Sequence, residues 1–303
     1  MKRFLLATLL TASLAAVSSP ASAALKVLAC EPEWGALAQE LGGDKVDVTV
    51  ATTALQDPHH VQAKPSLIAR ARNAELLACT GAGLEVGWLP ILIQQSGNPA
   101  IQPGKPGNFA ASDFVQKLDV PTRVDRADGD VHPEGNPHIQ TDPRNIAKVA
   151  AALSQRLAQI DAANAAFYAQ RGQDFAKRWD AALARWATQA APLRGMPILV
   201  QHKAWSYMEN WLGLQYVDAL EPKPGVEPTA SHLQEILARQ KDHPARLIAY
   251  AAYQDARSAD WLAERARIPA VQLPFTVGGT PAAKDLFGLY DDTLARLLKG
   301  AGK

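Results

Sequence analysis

The amino-acid sequence predicts an α/β fold of two lobes, each a mainly parallel sheet with covering helices, joined by one long linker helix. In both halves of the 303-residue chain, short β-rich apolar runs alternate with helical stretches, as they do in βαβ units. Between the halves, residues 143–191 keep helical spacing without a strand pattern, interrupted at most near Asp161. From residue 162 to residue 190 a helix would run roughly 43 Å. A helix of that length is expected to join two lobes.

Strands and helices alternate along the first half of the chain. One helix is expected to begin at Pro65, because proline suits the first helical turn. Segments 96–108 and 123–137 are rich in Gly, Pro and Asp, which predicts long surface loops. The predicted elements are a strand at 25–29, a helix at 34–41, a strand at 46–51, a helix from 65 and a strand at 76–79.

The same alternation returns after the turn-like sequence at 192–195. We therefore divide the chain into a signal peptide at 1–23, a first lobe at 24–160, a linker helix at 161–191 and a second lobe at 192–303. The second lobe is predicted to contain strands at 197–201, 215–219, 246–250 and 270–273, and helices at 205–212, 229–239, 258–265 and 284–298.

Residues 1–23 have the pattern of a secretory signal peptide. Lys2 and Arg3 precede an apolar stretch, and Ala21-Ser22-Ala23 supplies the small residues of a cleavage site. No later stretch approaches the roughly 20 apolar residues of a membrane helix. We therefore expect export to the periplasm, without membrane insertion of the mature chain. The net charge of +1 argues against nucleic acid as a partner.

Cys30 and Cys79 are the only cysteines in the chain. Each ends a similar apolar run that we interpret as a buried strand, and if the two strands are parallel neighbours the sulfurs can meet. An exported chain permits a disulfide, so a disulfide and a pair of buried free thiols remain the alternatives. Metal binding by this pair is disfavoured, because thiolates in an oxidising compartment tend to oxidise.

Three of the seven histidines lie in contexts suited to metal binding. His59 follows Asp-Pro on the loop after a strand, His138 follows Asn-Pro before the long helix, and His202 ends the first strand of the second lobe. They are too far apart in sequence for a zinc finger, so they would converge by folding in a cleft. Open α/β sheets bind ligands at the carboxyl ends of their strands. The alternative is that all three are ordinary loop or strand-end histidines.

The remaining histidines are expected to contribute less. His60 would point away from its neighbour, and His232 and His243 are expected on the surface. His132 lies in the predicted 123–137 loop, where it either carries metal inward or has no role.

Three motifs in this order resemble the metal-specific solute-binding proteins of bacterial ABC importers, the ZnuA-like and TroA-like group known as cluster A-I. The resemblance implies two α/β lobes with the metal between them, His59 and His138 as ligands from the first lobe and His202 as a ligand from the second. It also implies an ABC transporter permease as partner, and we expect a monomer. The motifs are Asp57-Pro58-His59 followed by Pro65-Ser66, Asn136-Pro137-His138 followed by Asp142-Pro143, and His202-Lys203-Ala204-Trp205.

The sequence departs from this family where a fourth ligand is expected. Members commonly place a carboxylate in a Leu-Asp-Pro-Leu-like segment after the last strand, but residues 273–279 contain no acid. Asp285 is the nearest downstream candidate for a metal ligand, with Asp255 and a water molecule as alternatives. The loop at 124–137 holds one histidine where zinc-specific members carry many, which favours help from a separate periplasmic metallochaperone.

Three imidazoles with one carboxylate suit tetrahedral Zn²⁺, whereas manganese prefers more oxygen ligands. A secreted zinc enzyme is the less favoured alternative, because the sequence has no His-Glu-x-x-His helix, Gly-x-Ser-x-Gly elbow or phosphate-binding loop. A manganese or other divalent-metal protein of the same kind is a second alternative. The sequence therefore predicts a periplasmic protein without enzymatic activity that captures Zn²⁺ between its lobes and delivers it to an ABC permease.

Overall fold

The computed structural model describes residues 23–125, 127 and 129–303. Apart from residue 23, the predicted signal peptide lies outside the described residues. Within them, the chain forms two four-stranded sheets, both entirely parallel, with helices packed around them. The predicted α/β fold of two lobes is confirmed. Across the described residues, the helices are too short or too polar to cross a bilayer.

The first lobe contains β1 Leu25–Ala29, α1 Pro32–Gly42, β2 Val46–Val50, α2 Pro65–Asn73, β3 Leu76–Cys79, α3 Leu89–Ser96 and β4 Asn108–Ala110. Its strand order is β2-β1-β3-β4. The strands β1 and β3 are buried nearly throughout, as expected for central strands of a covered parallel sheet. Sequence analysis did not predict α3 or β4, because short apolar runs do not distinguish helix from strand and three residues show no period.

The disulfide between Cys30 and Cys79 is present. It forms because β1 and β3 are parallel neighbours, with the N–H of Cys30 donating to the carbonyl of Ala78 at 2.8 Å. Both cysteines are buried. Of the two alternatives left open by the sequence, the disulfide is therefore the one observed.

The second lobe contains β5 Pro197–Val200, α6 Ser206–Leu212, β6 Gln215–Ala219, α7 Ala230–Arg239, β7 Leu247–Ala251, α8 Arg257–Ala266, β8 Ala270–Leu273 and α9 Leu286–Gly300. Its strand order, β6-β5-β7-β8, repeats that of the first lobe. The predicted elements of this half all occur, with ends that shift by one or two residues.

Two helices lie between the sheets where the sequence predicted one long helical stretch: α4 Pro143–Ile160 and α5 Ala165–Gln189. The chain breaks at Asp161, whose Oδ2 accepts hydrogen bonds from Asn164 Nδ2 and from the hydroxyl of Tyr168, both at 2.7 Å. The interruption expected near Asp161 is therefore a full break, and α4 and α5 pack against each other.

One face of α5 is buried and aromatic. Tyr168, Phe175, Trp179 and Trp186 recur along it at helical spacing, and the helix contacts both α1 of the first lobe and α9 of the second. The rings of Trp179 and Trp186 meet Tyr290 of α9, with centroids 5.6 Å and 5.1 Å apart. Helix α5 thus connects the lobes through a packed face, while the lobe boundaries at 160 and 191 stay a prediction.

The lobes also touch directly. The hydroxyl of Tyr207 in α6 donates to the carbonyl of Asn136 at 2.7 Å and accepts from the N–H of Leu118 at 3.0 Å. On the other side, the Thr276 hydroxyl, just after β8, donates to the carboxylate of Glu33 in α1. Burial raises the pKa of Glu33 to about 7. These contacts hold a loop of each lobe against a helix of the other.

Candidate metal centre

Three imidazoles from separate segments lie together between the lobes. The nitrogen ligand atoms of His59, His138 and His202 lie within 4.8 Å of one another, and their ring centroids are 5.3, 5.5 and 5.8 Å apart. All three side chains are buried. The structure thus brings together the histidines that the sequence singled out, and we call them the histidine cluster.

His59 lies on the loop between β2 and α2. The carboxylate of Asp57 accepts hydrogen bonds from the backbone N–H of His59 at 3.0 Å and from its Nδ1 at 2.7 Å. Although burial opposes it, these hydrogen bonds lower the pKa of Asp57, which therefore stays ionised. With Nδ1 held as the donor, the lone pair of Nε2 faces the cleft.

His202 lies two residues after β5, at the carboxyl end of one of the two inner strands of the second sheet. Its Nδ1 lies 2.6 Å from Oε2 of Glu221, which comes after β6 and also accepts from the N–H of Gly225 at 2.8 Å. Both side chains of this pair are nearly buried. A carboxylate thus holds Nδ1 of His202 as Asp57 holds Nδ1 of His59, leaving Nε2 free to bind metal.

His138 is the most deeply buried member of the cluster, at 1% exposure. Asn136 fixes its backbone through a 3.0 Å bond from the N–H of His138 to the side-chain oxygen, and the ring of Phe275 packs edge-on with centroids 5.3 Å apart. Its Nδ1 is buried without a hydrogen-bonding partner. Burial, and then the neighbouring imidazoles, hold the pKa of His138 well below its usual range, so the ring is neutral.

A fourth imidazole, that of His132, lies beside the histidine cluster. Its Nε2 is 3.3 Å from Nε2 of His59, and the backbone of Gly83 lies against its Nδ1 side. Burial, and next the proximity of His59, lower the pKa of His132 to about 4. Sequence analysis left the role of His132 open, since a lone histidine in a loop has no periodicity that would assign it to the site.

The structure does not bring the acidic candidates to the cluster. Asp285 is the N-cap of α9, where its Oδ1 accepts the N–H of Gly288 at 2.8 Å. Asp255 pairs with Arg257 on the surface, Oδ2 to guanidinium at 2.6 Å. Each carboxylate accepts a hydrogen bond from a backbone N–H at the start of the helix that follows it. The side chain that lies beside the histidine cluster is instead that of His132.

The other histidines differ in their surroundings. His60 is exposed, with its Nε2 3.9 Å from Oδ2 of Asp130; that it takes no part in metal binding stays a prediction. His243 is exposed. His232, expected on the surface, is instead partly buried because its Nε2 hydrogen-bonds the carbonyl of Ala219 at 3.0 Å.

A cleft of about 180 Å³ leads to the histidine cluster. Its lining includes His132, His138 and His202 together with Asp119, Asp130 and Lys203. The candidate donors are therefore the imidazoles of the histidine cluster and of His132, with two carboxylates in the same cleft. Imidazole donors suit tetrahedral Zn²⁺, and carboxylates that hold Nδ1 are the usual outer partners of zinc-binding histidines.

Comparison with known proteins places the chain in a family. Residues 27–300 match the family model of the zinc-uptake complex component A, periplasmic, ZnuA. The high-affinity zinc uptake system protein ZnuA of Paracoccus denitrificans is 26% identical and covers 97% of this chain and 95% of its own length. The protein of the same name from Brucella abortus is 29% identical, but the match spans 30% of that protein. A manganese ABC transporter substrate-binding lipoprotein of Streptococcus anginosus is 24% identical over 52% of this chain and 48% of its own length.

Solved structures share the fold. A crystal structure of ZnuA superposes with a TM-score of 0.74 at 20% identity, covering 92% of this chain and 98% of that chain. A Mn-bound periplasmic metal-binding protein from Candidatus Liberibacter asiaticus gives a TM-score of 0.74 at 17% identity, covering 91% and 99%. Because the family model spans nearly all of the described residues, the chain belongs to the ZnuA family of periplasmic zinc-uptake components.

Proposed function

We propose that this chain captures Zn²⁺ in the cleft between its lobes and delivers it to an ABC transporter permease. The observation that carries the proposal is the histidine cluster: three buried imidazoles, drawn from three segments and both lobes, have their ligand atoms within 4.8 Å of one another. His59, His138 and His202 would bind the metal. His132 is the fourth ligand that we propose in place of Asp285, because its Nε2 lies next to that of His59.

The protonation of the cluster supports metal capture. Metal binding requires neutral imidazole, and burial keeps the pKa values of His138 and His132 low. The carboxylates of Asp57 and Glu221 each hold one Nδ1. They orient the rings and raise the basicity of the free nitrogens, as outer partners of zinc ligands do.

Zinc is the metal we favour over manganese. The printed names and titles of similar proteins include both metals, so the family alone does not decide. The donors that converge here are all nitrogens, whereas Mn²⁺ prefers carboxylate, carbonyl and water oxygens. Four imidazoles therefore suit tetrahedral Zn²⁺ better.

We infer that the chain is a carrier without enzymatic activity. A catalytic zinc site needs a general base beside the metal. The two carboxylates in hydrogen bonds with the cluster, Asp57 and Glu221, already accept from imidazole Nδ1 atoms. They are placed to orient ligands and are not free to take a proton from a substrate.

The histidine cluster and the loop that carries His132 indicate which partners the protein needs. A monomer is sufficient, because one chain supplies all four imidazoles. The loop that carries His132 contains one histidine between residues 124 and 137, too few to collect metal from solution by themselves. We therefore propose that a periplasmic metallochaperone helps to load the site before the loaded chain docks on the permease.

A metal titration tests the proposal. The purified protein is stripped with chelator and titrated with Zn²⁺ and Mn²⁺, and bound metal is counted by elemental analysis. We expect one tight Zn²⁺ per chain, weaker Mn²⁺, and loss of the tight site in His59→Ala. His232→Ala is the matched control, because His232 bonds a strand carbonyl away from the cluster. The absence of a tight metal, or equal losses in both variants, would contradict the proposal.

Delivery needs its own test. Deleting the gene in the source organism should impair growth under zinc limitation, and a plasmid copy of the wild-type chain should restore it. A His59→Ala copy should not. If the His59→Ala copy restored growth, growth under zinc limitation would not depend on the histidine cluster, and the transport part of the proposal would be overturned.

A further inference from the structure

A second group of potential metal ligands lies inside the first lobe. Among the described residues, the sulfurs of Cys30 and Cys79 and a carboxylate oxygen of Glu85 lie within 4.8 Å of one another. All three residues are buried. In the folded, oxidised protein the sulfurs form a disulfide, so this group is not a metal site in that state.

The carboxylate of Glu85 is held in place by backbone donors. Its Oε1 accepts the N–H of Thr80 at 2.7 Å, and its Oε2 accepts the N–H of Gly81 at 3.1 Å. Both donors directly follow Cys79 at the end of β3. The same turn that positions one cysteine therefore also fixes the carboxylate beside it.

A second buried carboxyl group adjoins this one. Oε2 of Glu31, the residue after Cys30, accepts from the Thr80 hydroxyl at 3.0 Å, while its Oε1 is buried without a hydrogen-bonding partner. A buried carboxyl oxygen without a partner is an acceptor that a cation would satisfy.

We propose that the reduced chain binds Zn²⁺ through the thiolates of Cys30 and Cys79 and the carboxylate of Glu85, with Glu31 beside them. Two thiolates and one carboxylate are donors that Zn²⁺ accepts in tetrahedral sites. The proposal does not rest on the histidine cluster, which lies between the lobes and contains no sulfur.

The chemistry balances with a dithiol as reductant. The dithiol transfers two electrons and two protons to the disulfide, which gives two protein thiols and the oxidised, cyclic disulfide of the reductant. Zn²⁺ then replaces the two thiol protons, which are released to solvent. Re-oxidation by a disulfide runs the exchange backwards and expels the metal, because the same sulfurs cannot bond to each other and to Zn²⁺.

The proposal also covers the chain before the disulfide first forms, because Cys30, Cys79 and Glu85 all belong to the first lobe. The carbonyl of Cys30 accepts from both the N–H and the hydroxyl of Thr52, at 3.1 Å and 2.8 Å. Thr52 and His59 lie on the same loop between β2 and α2, so Cys30 supports the loop that carries His59. A newly exported, reduced chain would hold this zinc ion without any ligand from the second lobe.

Cobalt spectroscopy tests the proposal. The protein is reduced in denaturant, refolded without air, freed of reductant and titrated with Co²⁺. We expect a thiolate-to-Co²⁺ charge-transfer band in the near ultraviolet and one more metal equivalent than in the oxidised protein. Histidine ligands give no such band, so the outcome is independent of whether the histidine cluster binds metal.

Variants sharpen the outcome. Glu85→Gln should retain the thiols but weaken the Co²⁺ site about tenfold or more, since even an outer partner is worth about 10- to 100-fold. His59→Ala should leave the band unchanged. A reduced wild type that lacks the band, that binds no additional metal, or that loses its folded circular dichroism spectrum would overturn the proposal. Equal affinity in Glu85→Gln would also overturn it, because metal would then bind the thiols without the folded site.

Discussion

The two lobes share one sheet topology but contribute unequally to the histidine cluster. Each sheet places its first strand second in the order and continues with its third and fourth strands on one side. The first lobe and the segment before α4 supply His59, His132 and His138 on loops, and a disulfide ties two of the strand ends beneath them. The second lobe supplies one histidine, His202, at the end of a strand. The first lobe and the segment before α4 therefore supply three of the four imidazoles, and the second lobe supplies one.

In both lobes a carboxylate orients a histidine of the cluster. Asp57 holds Nδ1 of His59 at 2.7 Å, and Glu221 holds Nδ1 of His202 at 2.6 Å. Asp57 lies two residues before His59 on the same loop. Glu221 lies just after β6, the strand that pairs with β5. The same outer contact is reached by local sequence in one lobe and by tertiary structure in the other.

The largest expected effect is the loss of a ligand from either lobe. His138→Ala and His202→Ala should each lower Zn²⁺ affinity by more than the roughly 10- to 100-fold that loss of an outer partner costs. Isothermal titration of the chelator-stripped variants measures it. If His202→Ala binds zinc as tightly as wild type, the second lobe covers the site without binding the metal, and the comparison between the lobes fails.

The next effect is the loss of the orienting carboxylates. Asp57→Asn and Glu221→Gln keep the size of each side chain but remove its charge, so each should lower Zn²⁺ affinity about 10- to 100-fold. The two substitutions form a matched pair, one per lobe, measured in the same titration. Asp285→Asn is the control, because Asp285 caps α9, and it should leave zinc affinity unchanged. A large loss in the control would return Asp285 to the ligand set.

The histidines of the cluster could be predicted from the sequence, whereas the carboxylates around them could not. The three histidines were predictable because each follows a strand or a proline-stiffened segment, and strand ends gather at one edge of a parallel sheet. The fold was predictable from the alternation of strands and helices. Glu221 was not, because its contact with His202 depends on the pairing of β5 with β6. The expectation that Asp285 is a ligand came from the family pattern, since no local rule distinguishes a ligand from an N-cap aspartate; in the structure Asp285 caps α9, and its role in binding metal stays a prediction.

A smaller effect is expected for His132, the imidazole that sequence analysis left unassigned. His132→Ala should lower Zn²⁺ affinity about tenfold, at the lower end of the range for outer partners, because three ligands remain and water can take the fourth position. His60→Ala is the matched loop control, since the His60 side chain is exposed and does not belong to the histidine cluster. Equal affinities in wild type and His132→Ala would show that the first lobe contributes two ligands, which would narrow the difference between the lobes.

The smallest expected effect is on the stability of the metal-free protein. It concerns how the midpoint of thermal unfolding depends on pH through the buried histidines of the site. The pKa of His132 is lowered to about 4 and that of His138 lies well below its usual value, so below pH about 6.5 these two imidazoles bind more protons in the unfolded chain than in the folded one. Their contribution should therefore lower the midpoint of thermal unfolding as the pH drops from about 6.5 towards about 4.

The buried carboxyls of the first lobe should act in the opposite direction. Burial raises the pKa values of Glu33 and Glu85 to about 7, so stability present below their unfolded values is lost as the pH rises through about 7. Because the two titration ranges overlap between about pH 4.5 and 7, each contribution is measured as the difference between variant and wild type. His132→Ala should lose less stability than wild type on acidification, and Glu33→Gln should lose less stability than wild type as the pH rises towards 7. Thermal unfolding of chelated protein from pH 4 to pH 8 measures both. If either substitution leaves the pH dependence of the midpoint unchanged, that group is not buried as described.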